Sequence, residues 1–273
     1  MIQVPTALAR VAAGSTLVLL LAASAPAQRE EPLPRELEGV GVDEKLGASV
    51  PRGLAFVDET GAVVTLGSYL DHGKPVILTL NYYECPMLCT LQLNGLVDAL
   101  RELDWAPGRD FEIVTVSINP LETPRLAAAK KKTYLESLGR PGAEAGWHFL
   151  TGRQPEIVAL ADAVGFRYRY NEERKEYTHA AAFMLVTPDG RVARYLYGVM
   201  LEPKTVRLGL TEASQGRLGS TGDRFLLMCF HYDAGAGRYT VAAGRLMRLG
   251  GGLTTLVLGV WLGGWWWRER HRR

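Results

Sequence analysis

The chain has 273 residues, 47% of them hydrophobic, and carries a formal net charge of +2. That length allows one domain of ordinary size with appendages, and a core large enough to dispense with a disulfide scaffold. The near balance of charge argues against nucleic acid as a partner. No internal repeat or extended low-complexity tract is visible.

Residues 1–27 read as a secretory signal. Arg10 supplies the positive start, "VAAGSTLVLLLAASA" the apolar stretch, and Ala25–Ala27 a small-residue cleavage site. A retained amino-terminal anchor is the rival reading, and either one exports the domain behind it. Thiols then meet an oxidising compartment and need a reason to stay reduced. Residues 28–44, with Pro32, Pro34 and many charges, read as a linker without a core of its own.

The next unit is a domain over residues 45–215. "LAFVDETGAVVTL" reads as a hairpin around a Thr-Gly turn. "PVILTLNYY" is a continuous apolar run suited to a central buried strand. A helix is expected near the cysteines of "ECPMLC", with Pro86 in its first turn and Leu88, Leu91, Leu96 and Leu100 at helical spacing. "FEIVTVSIN" is a second central strand. The next helix has Thr123 as N-cap, Pro124 at its first position and Gly139 at its end. A short strand around Trp147–Leu150, a helix from Pro155 to about Val164, and "FRYRY" come next. Two strands, "AAFMLV" and "RVARYLYG", are joined by the turn "TPDG". This alternation predicts an α/β fold, a mixed sheet with helices on both faces. A cysteine pair between the first central strand and its helix is the thioredoxin-like arrangement.

Residues 216–244 read as a carboxy-terminal extension. Leu249–Trp267 holds no charge over nineteen residues and six glycines, which predicts a membrane-spanning helix within residues 245–268. Trp265–Trp267 resembles an interfacial belt. The arginine-rich end places the tail, residues 269–273, in the cytoplasm and the domain on the exported, periplasmic side.

Cys85 and Cys89 are two of three cysteines. Four residues apart on a helix, they share a face with Cα atoms about 6 Å apart. That separation permits a disulfide or two thiolates on one ion. A helix amino terminus lowers thiol pKa values and serves both uses. The pair alone leaves redox chemistry and metal binding open. Thr90 after Cys89 excludes a c-type haem site, and the absence of a second cysteine pair argues against structural zinc. Two thiolates with an imidazole suit copper, thiolate favouring Cu(I) over Cu(II). His179, just before the strand "AAFMLV", faces the cysteine helix in a thioredoxin-like fold. His72 and His148 read as structural. Cys229 and His231 share a face if "FLLMCFHY" is extended, an accessory copper site or resolving thiol in one reading. A buried cysteine with a satisfied histidine is the favoured one. Met200 and Met228 read as packing.

In these motifs the chain resembles the Sco/SenC family of copper-binding, thioredoxin-like assembly proteins. The resemblance rests on "YYECPMLC", "SINPLETP" and "YTHAAAFMLVTPDGRVARYLYG". It implies copper on Cys85, Cys89 and His179, and service to assembly of the copper centre in cytochrome c oxidase. Asn119 stands where the family often has aspartate, so no acidic role is carried there. The extension and carboxy-terminal helix lie outside the compact family core.

The leading expectation is a membrane-tethered copper metallochaperone working by ligand exchange. Its partners would be the copper-bearing oxidase subunit, and a periplasmic thiol reductant or copper donor. The alternative is a thiol–disulfide oxidoreductase acting on the acceptor's cysteines, with Cys85 attacking and Cys89 resolving. A thiol peroxidase lacks an identifiable arginine beside its cysteine.

Overall fold

The computed structural model describes residues 39–85, 87–215, 230–233, 238–241, 251–258 and 260–261. The expected signal sequence, Pro86, Met228, Cys229 and Trp265–Trp267 lie outside the described residues.

The chain opens with β1 (Gly41–Val42), the hairpin β2 (Ala55–Val57) and β3 (Val63–Thr65), and the short α1 (Gly67–Leu70). Next come β4 (Val76–Asn81), α2 (Leu88–Arg101), β5 (Glu112–Ser117) and α3 (Pro124–Leu138). After them are β6 (Trp147–Leu150), α4 (Gln154–Ala163), β7 (Phe166–Asn171) and β8 (Glu176–His179). The domain closes with β9 (Ala182–Val186), β10 (Val192–Tyr197) and α5 (Pro203–Ala213). Farther on, β11 (Phe230–Asp233) pairs antiparallel with β12 (Arg238–Val241).

Five strands make the central sheet in the order β10-β9-β4-β5-β6. β4, β5 and β6 run parallel, whereas β9 is antiparallel to both β4 and β10. All residues of β4, β5 and β9 are buried, as their mainly apolar character leads one to expect. Strand alternation sorts their side chains to opposite faces. Ile77, Ile113 and Phe183 pack with Leu96, Leu100 and Tyr134 from α2 and α3. Leu78, Val114 and Met184 pack with Ile157 and Leu160 from α4, in the cluster that also contains Cys85 and Cys89. Each such side chain contributes roughly 1.5–3 kcal/mol on burial. Packing against this sheet therefore fixes α2, whose own helix propensity is a far smaller effect.

The helix boundaries of α3 follow from its sequence. Thr123 accepts from the Leu126 N–H, Pro124 fills the first turn, and Gly139 ends the helix at φ 65°. The expected hairpins β2–β3 and β9–β10 are both present. Three of the elements that were not expected bear on the site or its sheet. β1 falls in the predicted linker yet pairs with β7 through Gly41–Arg167 and Val42–Phe166. β8 pairs with β7 and brings Tyr168 opposite His179. The third is α5, which buries Val206, Leu208 and Leu210 against the sheet.

Among the described residues no helix is long and apolar enough to cross a membrane. Residues 251–258 and 260–261 are helical, with Leu253, Leu256, Val257, Val260 and Trp261 exposed. The remainder of the predicted span lies outside the described residues.

Candidate metal centre

At the carboxyl end of β4 the chain leaves the sheet as Tyr82–Cys85, and α2 begins at Leu88 behind the N-cap Met87. Cys89 therefore sits in the first turn of α2, but Cys85 precedes it. This corrects the expectation that both thiols ride on one helical face. The Cys85 Sγ instead accepts the Cys89 backbone N–H at 3.3 Å, satisfying one of the donors that a helix start leaves unpaired. The cysteines converge through this contact. Leu91 is also exposed, because the buried face of α2 runs through Cys89, Leu93, Leu96 and Leu100.

The two thiols differ sharply in character. The adjoining Cys89 holds the Cys85 thiol down to about 3; burial opposes this, and the Cys89 N–H reinforces it. Cys89 is pushed far up by burial and by the negative charge on Cys85. The first proton of the pair therefore leaves more readily from Cys85 than from Cys89. The Tyr82 hydroxyl also hydrogen-bonds the Cys85 side chain, and burial with that contact raises its pKa.

His179 ends β8. Its Nε2 lies 2.9 Å from the Cys89 Sγ and its Nδ1 lies 2.9 Å from the Ala180 carbonyl oxygen. A carbonyl accepts only, so Nδ1 carries the proton and Nε2 is turned toward the sulfur. Fixing a histidine tautomer in this way presents one nitrogen as a ligand. Phe166 and Tyr82 frame the ring, each with its centroid 6.0 Å away.

The donor atoms of Cys85, Cys89 and His179 all lie within 4.8 Å of one another, and all three residues are buried. A first-row ion bonded to sulfur at about 2.3 Å would draw two thiolates to about 4 Å. The cluster therefore has the size a metal ion requires. Two soft sulfurs and one imidazole suit copper better than the hard cations, which prefer oxygen.

The other histidines lie elsewhere. His72 Nδ1 and His148 Nε2 stand 3.5 and 3.7 Å from the carboxylate of Glu112, at the amino-terminal end of β5. His231 falls within β11, and Cys229 is outside the described residues. Met200, expected as packing, is 88% exposed.

Sequence reasoning gave Asn119 no acidic role, and its side chain accepts the Leu121 N–H within a turn. It missed a carboxylate three residues on. Glu122 is buried behind the cysteine loop and accepts the N–H groups of Tyr83 and Glu84. Also missed was Gln92, which accepts from the Asn81 amide and donates to the Ala182 carbonyl. This buried bridge fastens α2 to β4 and to the start of β9.

The family described as SCO1/SenC matches residues 44–211, well over half of the chain. The chain belongs to the SCO1/SenC family. Two solved structures share the fold, and a third match is weaker. A protein from Aquifex aeolicus VF5, provisionally assigned to electron transfer, is 26% identical with TM-score 0.55, over 62% of this chain and 94% of its own. BsSco, described as a member of the Sco family of cytochrome c oxidase assembly proteins, is 24% identical with TM-score 0.50. That match covers 63% of this chain and 97% of BsSco, whose structure concerns a disulfide switch. Arabidopsis thaliana ScoI with copper bound is 22% identical with TM-score 0.48, over 63% of this chain and 99% of its own. No curated protein gives a significant match. The SCO1/SenC domain here is thus a central sheet flanked by helices, with the Cys85–Cys89–His179 cluster beyond the end of β4.

Proposed function

We propose that this protein is a copper metallochaperone for assembly of the copper centre of cytochrome c oxidase. The observation that carries the reading is the convergence of Cys85, Cys89 and His179 within 4.8 Å in a buried cluster of a SCO1/SenC domain. Copper is the cargo. The Cys85 thiolate and the His179 Nε2 offer lone pairs at once, and Cys89 becomes a thiolate ligand by releasing its proton. Ligand exchange then lets the acceptor's thiolates replace these donors one at a time, so the ion is never bare. The exported location and the membrane tether at Leu249–Trp267 belong to the same proposal. Support for the tether comes from the uncharged nineteen-residue run and the exposed apolar side chains at its helical part.

The test is titration of the reduced full-length protein with copper. One equivalent should bind and develop thiolate-to-copper charge-transfer absorption. The absorption should vanish in Cys85→Ser and in Cys89→Ser. Equal copper retention by the double serine variant would sink the reading.

A second reading is favoured by the unequal thiols. A low-pKa Cys85 beside a protonated Cys89 is the arrangement of an attacking and a resolving cysteine. In that case the protein reduces a disulfide on the copper acceptor, and two electrons pass as Cys85–Cys89 closes into its own disulfide.

A further inference from the structure

Cys85 stands at the end of a short loop, and the position of its sulfur depends on the backbone of the two residues before it. That backbone is held from behind by one side chain. Glu122 Oε2 accepts the Tyr83 N–H and Oε1 accepts the Glu84 N–H, both at 2.8 Å. The Ser117 hydroxyl donates to Oε2 at 2.5 Å and sets the plane of the carboxylate. Glu122 is only 8% exposed. From the other side, the Tyr83 hydroxyl reaches the carbonyl oxygens of Thr115 and Leu150 at 3.0 and 2.7 Å. Burial of a carboxylate is costly, and here its oxygens are spent on the cysteine loop.

We infer that Glu122 is a positioning residue that sets the geometry of the Cys85–Cys89 pair. Its two oxygens grip two consecutive N–H groups, which fixes the peptide planes leading into Cys85. An amide in its place has one acceptor and one donor. The donor would face an N–H, and the loop would lose one of its two anchors. The inference about metal rests on the chaperone reading; the inference about the thiol pair does not.

The experiment uses the full-length protein with Glu122→Gln, Glu122→Asp and Ser117→Ala. Two equilibria are measured: Cu(I) affinity by competition with a chromophoric chelator, and disulfide formation against a dithiothreitol redox buffer. In the second, the Cys85 thiolate and the Cys89 thiol lose two electrons and one proton as their S–S bond forms, and oxidised dithiothreitol takes these up with one further proton from solvent. Glu122→Gln should weaken Cu(I) binding by about 10–100-fold, the range found for groups that orient ligands. It should also move the disulfide equilibrium by about tenfold, as loss of a charge-assisted grip on a reactive thiol implies. Glu122→Asp keeps the charge but is too short to reach both N–H groups, so it should restore less than half of the Cu(I) affinity. If Glu122→Gln does not fold, Ser117→Ala decides the matter. It frees the carboxylate to rotate and should shift both equilibria in the same direction, by about two- to fourfold. A folded Glu122→Gln with lower melting temperature but unchanged equilibria overturns the inference, as does an unchanged Ser117→Ala where that variant decides. If the wild type binds no copper, the chaperone reading fails, and the disulfide equilibrium alone judges Glu122.

Discussion

The His179 Nε2 lies 2.9 Å from the Cys89 Sγ, although ninety positions separate them in the chain. His179 arrives on the β7–β8 hairpin, which is not part of the five-stranded sheet, whereas Cys89 arrives on α2. The cluster is therefore assembled where two separately built elements meet. Its geometry is only as good as the seating of each.

Gly95 is what lets α2 sit close. A Cβ at this position would come within 1.8 Å of the Val199 carbonyl oxygen, which is backbone and cannot swing aside as a side chain would. Gly95→Ala gains about 1 kcal/mol of helix propensity. The clash outweighs that gain, since overpacking of a close contact costs about 1–3 kcal/mol and occasionally more. The expected net effect is a melting temperature lower by a few degrees, about 2–4 °C for each kcal/mol lost. Copper affinity should fall as well, because α2 carries Cys89. Thermal melting and copper titration of the one variant check both. An unchanged melting temperature would show that α2 has room to move.

The far end of the sheet makes a different prediction. Burial works against ionisation of Glu112, but the nearby His148 ring and the hydrogen bond from Lys74 outweigh it and hold the carboxyl below its ordinary value. A depressed carboxyl pKa contributes stability above the unfolded value of about 4.3 and loses it as pH falls through the folded value. Glu122 has the opposite sign: burial raises its pKa, so its protonation on acidification adds stability instead of removing it. Lys74→Met removes the ammonium 2.9 Å from Glu112 and should cost about 1–3 kcal/mol at neutral pH. Urea unfolding should also show a smaller fall in stability than the wild type has as pH drops from about 5 through the folded value of Glu112. An identical pH profile would mean that Lys74 does not hold Glu112.

Much of this architecture is legible because local chemistry and tertiary role agree. "PVILTLNYY" and "FEIVTVSIN" are dominated by apolar and β-branched residues, and only a sheet covered on both faces buries every residue of the strands they form. Thr123, Pro124 and Gly139 mark both ends of α3 by backbone chemistry alone. β8 was illegible for the converse reason: "EYTH" is polar, and it becomes a strand only because β7 lies beside it. α5 hides its buried face among charged residues, with Gly209 admitting Leu185 close to the helix. Around the cluster, the three donor residues stood out by type and spacing. Glu122 did not, because an isolated glutamate in a loop carries no mark of burial. Its role exists only once β5 and the cysteine loop have been brought together.

The carboxy-terminal run predicts a topology. The positive charges beyond Trp267 favour a cytoplasmic tail, and the signal-like start favours an exported domain. An enzyme reporter fused after Arg273 should be active only as a cytoplasmic fusion. The same reporter after Gly237 should behave as exported. The reverse pattern would place Cys85 and Cys89 in a reducing compartment and remove the need for a reductant.

His179 separates the two readings of the site. Disulfide exchange between Cys85 and Cys89 requires a thiolate and an accessible sulfur, and both survive without the imidazole. Copper held in a cluster shaped by three donors loses one of them outright. In His179→Ala the cysteines should still open and close a disulfide with dithiol reductants. The effect of His179 on Cys85 is secondary to that of Cys89, so the attacking thiol should remain acidic. Copper affinity should fall by more than the roughly 10–100-fold typical of groups that merely orient a ligand. Cells carrying the variant should then be short of active oxidase, as cells carrying either cysteine variant should be. Suppose instead that His179→Ala supports full oxidase activity while Cys85→Ser and Cys89→Ser do not. Retention of copper would then be incidental to the role of the protein, and reduction of the acceptor's disulfide would be its work.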